Sequence, residues 1–282
     1  MIKLLAYTHI WIAMGAAAAA AATAMAVGPH SQWSQVQFEG IGLVMLATGS
    51  AYTVQRLIKL QRDPAQVPWG RRQFLERWKG VLIIWWIGLA AGVWTWGGFN
   101  ATIWMEWAWQ HAPVLAIGLV LTLGYASNPV SGSAGWREVP HFKWPVIALT
   151  WGIVTGWIPC EWGHDPVPNI AKWGHAIAQT CFVAGITLPF DVRDLDIDAP
   201  RLRTIPQVAG IRRTTWLAIG LVLLSMTGFA LMDPSWGRLG TGAVALLAII
   251  AAERSTSEWI FSLWLDGCLL LQGILAFLTF PS

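Results

Sequence analysis

The stretch Asp191-Val192-Arg193-Asp194-Leu195-Asp196-Ile197-Asp198 puts four carboxylates into eight residues, directly after the largely apolar run from His175 to Phe190. The chain of 282 residues has only fifteen acidic side chains, so about a quarter of them sit here. On a helix, Asp191, Asp194 and Asp198 are spaced i, i+3, i+7 and share one face, with Asp196 turned elsewhere. Carboxylates crowded at the boundary of an apolar segment repel one another unless a cation joins them. Oxygen-only ligands of this kind suit Mg²⁺, which takes one or two carboxylates together with substrate phosphate. A solvated acidic loop balanced by Arg193, Arg201 and Arg203 has the same composition, and the residues alone leave both readings open.

Working outward, 55% of the residues are apolar and 12% charged, about half the usual charged share of a soluble domain. Nine apolar runs are long enough to span a bilayer: roughly 4–27, 38–60, 79–97, 107–126, 143–160, 172–190, 214–232, 237–253 and 258–280. The first run is too long, and is followed by too many others, to be only a cleaved signal peptide. The expectation is an all-α, polytopic transmembrane helical bundle of about nine transmembrane helices, forming a single transmembrane domain over residues 1–282.

Charge sets the orientation. With the N-terminus in the cytoplasm and alternating sides, sixteen of the eighteen basic residues fall on the cytoplasmic side, leaving only Lys172 and Arg238 outside. The acidic cluster is then cytoplasmic, and so are the larger loops. The chain reads as an integral protein of the plasma (inner) membrane with a cytoplasmic N-terminus. The net charge of +3 belongs to those loops and is no argument for nucleic acid.

The chain is rich in tryptophan, with twenty-one residues. Many lie near helix ends and read as an aromatic belt at headgroup depth. Trp85, Trp86, Trp94 and Trp151 are placed deeper, to line a cavity or fill the bundle. Cys160, Cys181 and Cys268 show no paired spacing and read as packing residues. The six histidines form no i, i+4 pair, and His9 and His175 lie in membrane runs, where they are expected to hydrogen-bond between helices. Asp266, inside the last run, is either a functional carboxylate or the buried partner of an arginine.

The arrangement resembles the UbiA superfamily of intramembrane prenyltransferases, which have nine transmembrane helices and a cytoplasmic active site. Its second acidic motif follows the sixth helix as approximately D-x-x-D-x-x-x-D and then a basic-Thr pair. Here these are Asp191, Asp194 and Asp198, then Arg203-Thr204, with Leu188-Pro189-Phe190, Ile205-Pro206 and Gly210 in keeping. Trp136-Arg137-Glu138-Val139-Pro140 and Lys143 resemble the basic segment of the family's loop between helices 4 and 5. The resemblance implies Mg²⁺ on Asp191, Asp194 and Asp198 as the catalytic carboxylates, and a prenyl diphosphate and a lipophilic acceptor as substrates.

The family's first acidic motif, N-D-x-x-D-x-x-x-D, is missing. Its place reads Tyr52-Thr53-Val54-Gln55-Arg56-Leu57, with Thr53 where the asparagine is expected and no carboxylate until Asp63. The segment between Asp198 and Arg203 is one residue shorter than the family pattern and lacks its glycine. Two acidic motifs normally flank the diphosphate with Mg²⁺ ions, so half of the metal platform is gone. Basic side chains are the available substitutes. Arg56, Arg71, Arg72, Lys79 and Lys143 are candidate phosphate donors, and Tyr52 and Arg203 join the substrate-binding set through the resemblance. Two functions follow: a UbiA-like transferase, or a non-catalytic descendant that binds an isoprenoid, quinone or pigment, or serves as a subunit of a membrane complex.

Overall fold

The structure, a computed structural model, describes residues 7–28, 34–62, 64, 67, 69–95, 100–126, 136, 139, 141–163, 166–195, 203–232, 236–255, 257 and 259–279. The described residues of the nine apolar runs are largely helical, and there is no strand among the described residues. The helices are α1 (Ile10–Val27), α2 (Gln35–Arg62), α3 (Trp69–Thr95), α4 (Ala101–Gln110), α5 (Ala112–Ala126), α6 (Lys143–Gly152), α7 (Asn169–Arg193), the short α8 (Ile205–Ala209), α9 (Ile211–Met232), α10 (Trp236–Ala252) and α11 (Gly267–Thr279). A π turn, Ile153–Trp157, and a 3-10 turn, Ile158–Glu161, prolong α6, and a π segment, Trp259–Leu265, leads into α11.

Four segments are long and apolar enough to cross a membrane as single spans: Ile10–Val27, Gln35–Gln61, Ile211–Met232 and Trp259–Thr279. The fourth expected run is broken instead of continuous. α4 and the following helix meet at 86°, and the pair makes a fifth span if counted as one. Asn100 caps α4 by accepting from the Ile103 amide at 3.2 Å. Pro113 lacks the amide that would continue the helix back to Trp109, so the chain turns at His111.

The bundle closes on itself. α1 packs between α2 and α11, α7 between α6 and α9, and α10 between α9 and α11. In lipid such packing depends on close contact more than on the hydrophobic effect, and small residues permit it. The buried face of α1 carries Ala13, Ala16, Ala20 and Ala24. A side chain at Gly273 of α11 would come within 2.5 Å of the Ala18 carbonyl oxygen, and one at Gly156 within 2.8 Å of the His175 carbonyl. Gln179 and Gln272 exchange amide hydrogen bonds of 3.2 and 3.1 Å between α7 and α11, satisfying two buried polar side chains at once.

Of the four tryptophans expected to lie deep, Trp86 and Trp151 are buried, whereas Trp85 and Trp94 are exposed and face outward. The reason lies in α3, which packs on α2 and turns Ile83, Ile84, Trp85 and Ile87 away from the bundle. Trp86 occupies the space that a side chain at Gly49 would need. The ends are also less uniform than an aromatic belt implies: Trp109 and Trp236 are exposed, but Trp104, Trp157 and Trp162 are buried. The protein is an integral membrane protein.

Candidate functional site

The acidic segment begins inside α7 and leaves it at once. The helix runs to Arg193, and Asp194 caps it, its amide donating to the Phe190 carbonyl at 3.0 Å. Asp191 and Asp194 therefore stand one turn apart at the end of the helix. The helical face that would extend to Asp198 stops here, and Asp198 lies outside the described residues.

Asp191 is buried, at 1% exposure. Lys143, the first residue of α6, places Nζ 2.7 Å from its Oδ1. The position of this pair is informative. A lysine at a helix N-terminus and an aspartate at a helix C-terminus each oppose the local helix dipole. Helix stability favours neither residue where it stands, and their pairing offsets that cost. Local rules broken in this way are expected at functional sites. Just before Lys143, Trp136 stacks edge-on against Phe142 with ring centroids 6.5 Å apart. Arg137 lies outside the described residues.

Asp194 is partly exposed and accepts from Arg193 Nε at 2.8 Å. The Arg193 guanidinium is held over the rings of Phe190 and Phe261, 5.2 and 4.9 Å from their centroids. Two carboxylates one turn apart, each with an adjacent cation, thus end α7.

A second, basic set stands at the same end of the bundle on α1–α3. Tyr52 of α2 packs against the core, with the Trp151 indole beside its hydroxyl and Asp266 and Arg56 near enough to act on it electrostatically. Arg71, in the first turn of α3, lies over the Tyr7 ring at 5.3 Å, and both it and Arg56 act electrostatically on His9. Arg72 is not drawn into this set: its Nε contacts Glu76 at 2.8 Å on the exposed side of α3. Arg203 is exposed with φ 46, in the left-handed region, and precedes Thr204, which begins α8 by donating its amide to Gln207 Oε1 at 2.9 Å.

Thr53, at the position of the absent first motif, is buried and engaged. Its hydroxyl donates to the Gly49 carbonyl at 2.8 Å, so it accepts from His9 Nδ1 at 3.0 Å. The sequence marks His9 as an interhelical hydrogen-bonder without marking its partner, Thr53. Thr53 at a membrane position where an amide was expected was the available signal.

Among the described residues, no three His, Cys, Asp or Glu side chains lie close enough together to hold a metal ion. The donor set nevertheless fits Mg²⁺ of the kind completed by substrate phosphate, because Asp191 and Asp194 supply two hard oxygen ligands from one helix end.

No protein-family model matches the chain. No curated protein matches it. Among solved structures it is similar to a UbiA homologue from Archaeoglobus fulgidus bound to GPP and Mg²⁺, with a TM-score of 0.61, 13% sequence identity and 99% of each chain covered. The likeness is one of fold, and it extends over the whole length. The chain is thus an integral membrane protein built on the UbiA-like fold.

Proposed function

We propose that this protein binds a prenyl diphosphate at the Asp191 end of the bundle, on the cytoplasmic side, and transfers the isoprenyl group to an aromatic or other lipophilic acceptor. The observation that carries this reading is the full-length likeness to a fold solved with GPP and Mg²⁺. The Asp191–Lys143 pair, set against both helix dipoles, supports it.

In the reaction the allylic C–O bond breaks and diphosphate leaves with the electron pair. The acceptor bonds to the allylic carbon and gives up a proton. Mg²⁺, when bound, supplies positive charge to the leaving diphosphate. Asp191 and Asp194 would hold it. Lys143 and Arg193, which contact those carboxylates, are the cations placed to turn toward phosphate oxygens. Arg56 and Arg71 offer donors from the α1–α3 side, where the family carries its first acidic motif. A preorganised ring of donors stabilises charge that develops as the C–O bond ionises, which is how such a site accelerates the step.

A second reading is favoured by Thr53. The position that should hold metal is committed to an interhelical hydrogen bond with His9. A chain that kept the fold and gave up half of its metal platform in this way would bind an isoprenoid, quinone or pigment without turning it over, alone or in a membrane complex.

Mg²⁺-dependent binding of geranylgeranyl diphosphate to purified protein separates the two. Saturable binding lost in Asp194→Ala supports the diphosphate–metal site. A folded protein that binds none overturns the transferase reading and leaves the second.

A further inference from the structure

The charge rule leaves two basic residues at the end opposite Asp191. Lys172 pairs with Glu161. Arg238, in the first turn of α10, is buried at 2% exposure. Its Nη2 donates to the Ala22 carbonyl at 2.7 Å and to the Thr23 hydroxyl at 3.3 Å, and its guanidinium lies 4.3 Å from the centroid of the Phe229 ring. Part of this serves the fold. Pro159 cannot supply the amide that a helix would offer to the Thr155 carbonyl, and the Thr23 hydroxyl donates to that carbonyl at 2.8 Å instead.

One contact of Arg238 is not needed for that repair. Its Nη1 lies 3.3 Å from His175 Nδ1. A guanidinium has only donors, so Nδ1 accepts and the imidazole carries its hydrogen on Nε2. His175, itself 2% exposed, lines a cavity of about 490 Å³ between the C-terminal end of α1, residues 166–168 and the last turn of α9. Val27, Val167, Ala171 and Met232 make apolar walls. Ile170 and Leu231, also lining it, are 85% and 82% exposed, so the opening is apolar as well.

We propose that this cavity binds the headgroup of an uncharged lipophilic carbonyl compound of the quinone class. His175 Nε2–H donates to the carbonyl oxygen, and Arg238 behind the ring strengthens that donor. The volume is within the range of small-molecule sites, which combine apolar walls with few polar groups. The apolar opening gives access from lipid. The N-termini of α7 and α10 stand at this end and add positive dipole ends, which favour an electron-rich oxygen. Among the described residues these walls offer a diphosphate few polar partners, so they favour an uncharged headgroup. The inference is independent of the transferase reading, because its residues lie at the other end of the bundle.

The test is equilibrium binding of decylubiquinone to the purified full-length protein in detergent, with decylbenzene as the comparator lacking carbonyls. Saturable binding is expected, at least about tenfold tighter than decylbenzene, as one charge-supported hydrogen bond allows. His175→Phe removes the donor at similar size and is expected to erase that preference. Ala171→Trp fills the cavity while leaving His175 and Arg238 themselves unaltered, and is expected to abolish binding, so the proposal stays open to refutation if His175→Phe fails to fold. An excess of geranylgeranyl diphosphate with Mg²⁺ is expected not to displace the quinone. Equal affinity for the two probes, indifference to Ala171→Trp, displacement by the diphosphate, or no binding by folded wild-type protein would each overturn it.

Discussion

At the acidic end of the bundle a buried carboxylate, Asp191, meets Lys143 Nζ at 2.7 Å, whereas at the opposite end a buried guanidinium, Arg238, contacts a carbonyl, a hydroxyl, an imidazole and an aromatic ring. Both charges oppose the dipole of the helix that carries them. They differ in what their partners are. Arg238 is shared among neutral groups belonging to α1, α7 and α9, one of which also repairs the Pro159 break, so its cage is built into the fold. Asp191 pairs with Lys143 Nζ, the end of a flexible side chain, which on the proposed reading would exchange the carboxylate for a phosphate. A charge that holds helices together thus stands opposite the one to which the proposed function assigns chemistry.

The largest expected effect attacks that separation directly. Asp191→Asn keeps the side-chain volume and removes the charge. It is expected to weaken Mg²⁺-dependent binding of geranylgeranyl diphosphate by about a hundredfold or more, as loss of a charged ligand implies. Stability in detergent should fall less than in Arg238→Met, because the Lys143 side chain keeps 12% exposure whereas Arg238 is 2% exposed. Arg238→Met should leave the diphosphate affinity within about threefold. Similar losses in both variants would mean that the ends are not independent.

Stability reverses the order. Arg238→Met removes the donors to Ala22 and Thr23 and strips the positive charge behind His175. A cost of about 2–3 kcal/mol is expected, typical of breaking a buried polar network, and thermal unfolding in detergent measures it. If Asp191→Asn unfolds more readily than Arg238→Met, Asp191 is the structural charge and the comparison is inverted. A smaller steric test bears on the same end. A methyl at Gly156 would meet backbone of His175 and Ala176 at 2.8 Å, where nothing flexible can yield. Gly156→Ala is expected to cost about 1–2 kcal/mol through overpacking, read by the same unfolding measurement.

The two ends were unequally legible in the sequence. The acidic end announced itself, because four carboxylates after an apolar run break composition sharply. That the apolar runs fall on helix was legible for the same reason, since apolar length is a linear property of the chain, but the break in the fourth at His111 was not. What the sequence did not carry was which way α7 turns after Arg193. A spacing of i, i+3, i+7 describes a face only while the helix lasts, and the helix ends before the third carboxylate. Arg238 was visible only as one of two exceptions to the charge asymmetry, and nothing local distinguishes it from Lys172, which pairs with Glu161. His175, Thr23 and Arg238 are far apart in sequence, and their convergence is a product of packing. The outward turn of Trp85 and Trp94 has the same cause: the pattern of α3 does not state which helices it lacks as neighbours.

The finest test concerns Thr53, which sits at the acidic end yet behaves like a residue of the structural end. Its hydroxyl both donates to Gly49 and accepts from His9, tying the start of α1 to α2. Thr53→Val preserves the branched shape and removes both bonds. The expected loss is about 1 kcal/mol of stability, the usual net worth of a buried hydrogen bond with some unsatisfied remainder. The diphosphate affinity should be unchanged, because the hydroxyl faces His9 instead of the carboxylates of α7. If Thr53→Val weakens Mg²⁺-dependent binding while the thermal midpoint stays put, the first-motif position still serves the substrate, and the site extends across both sets of residues. If only stability falls, the metal platform is confined to the end of α7, and Arg56 and Arg71 must supply any positive charge that reaches the diphosphate from the α1–α3 side.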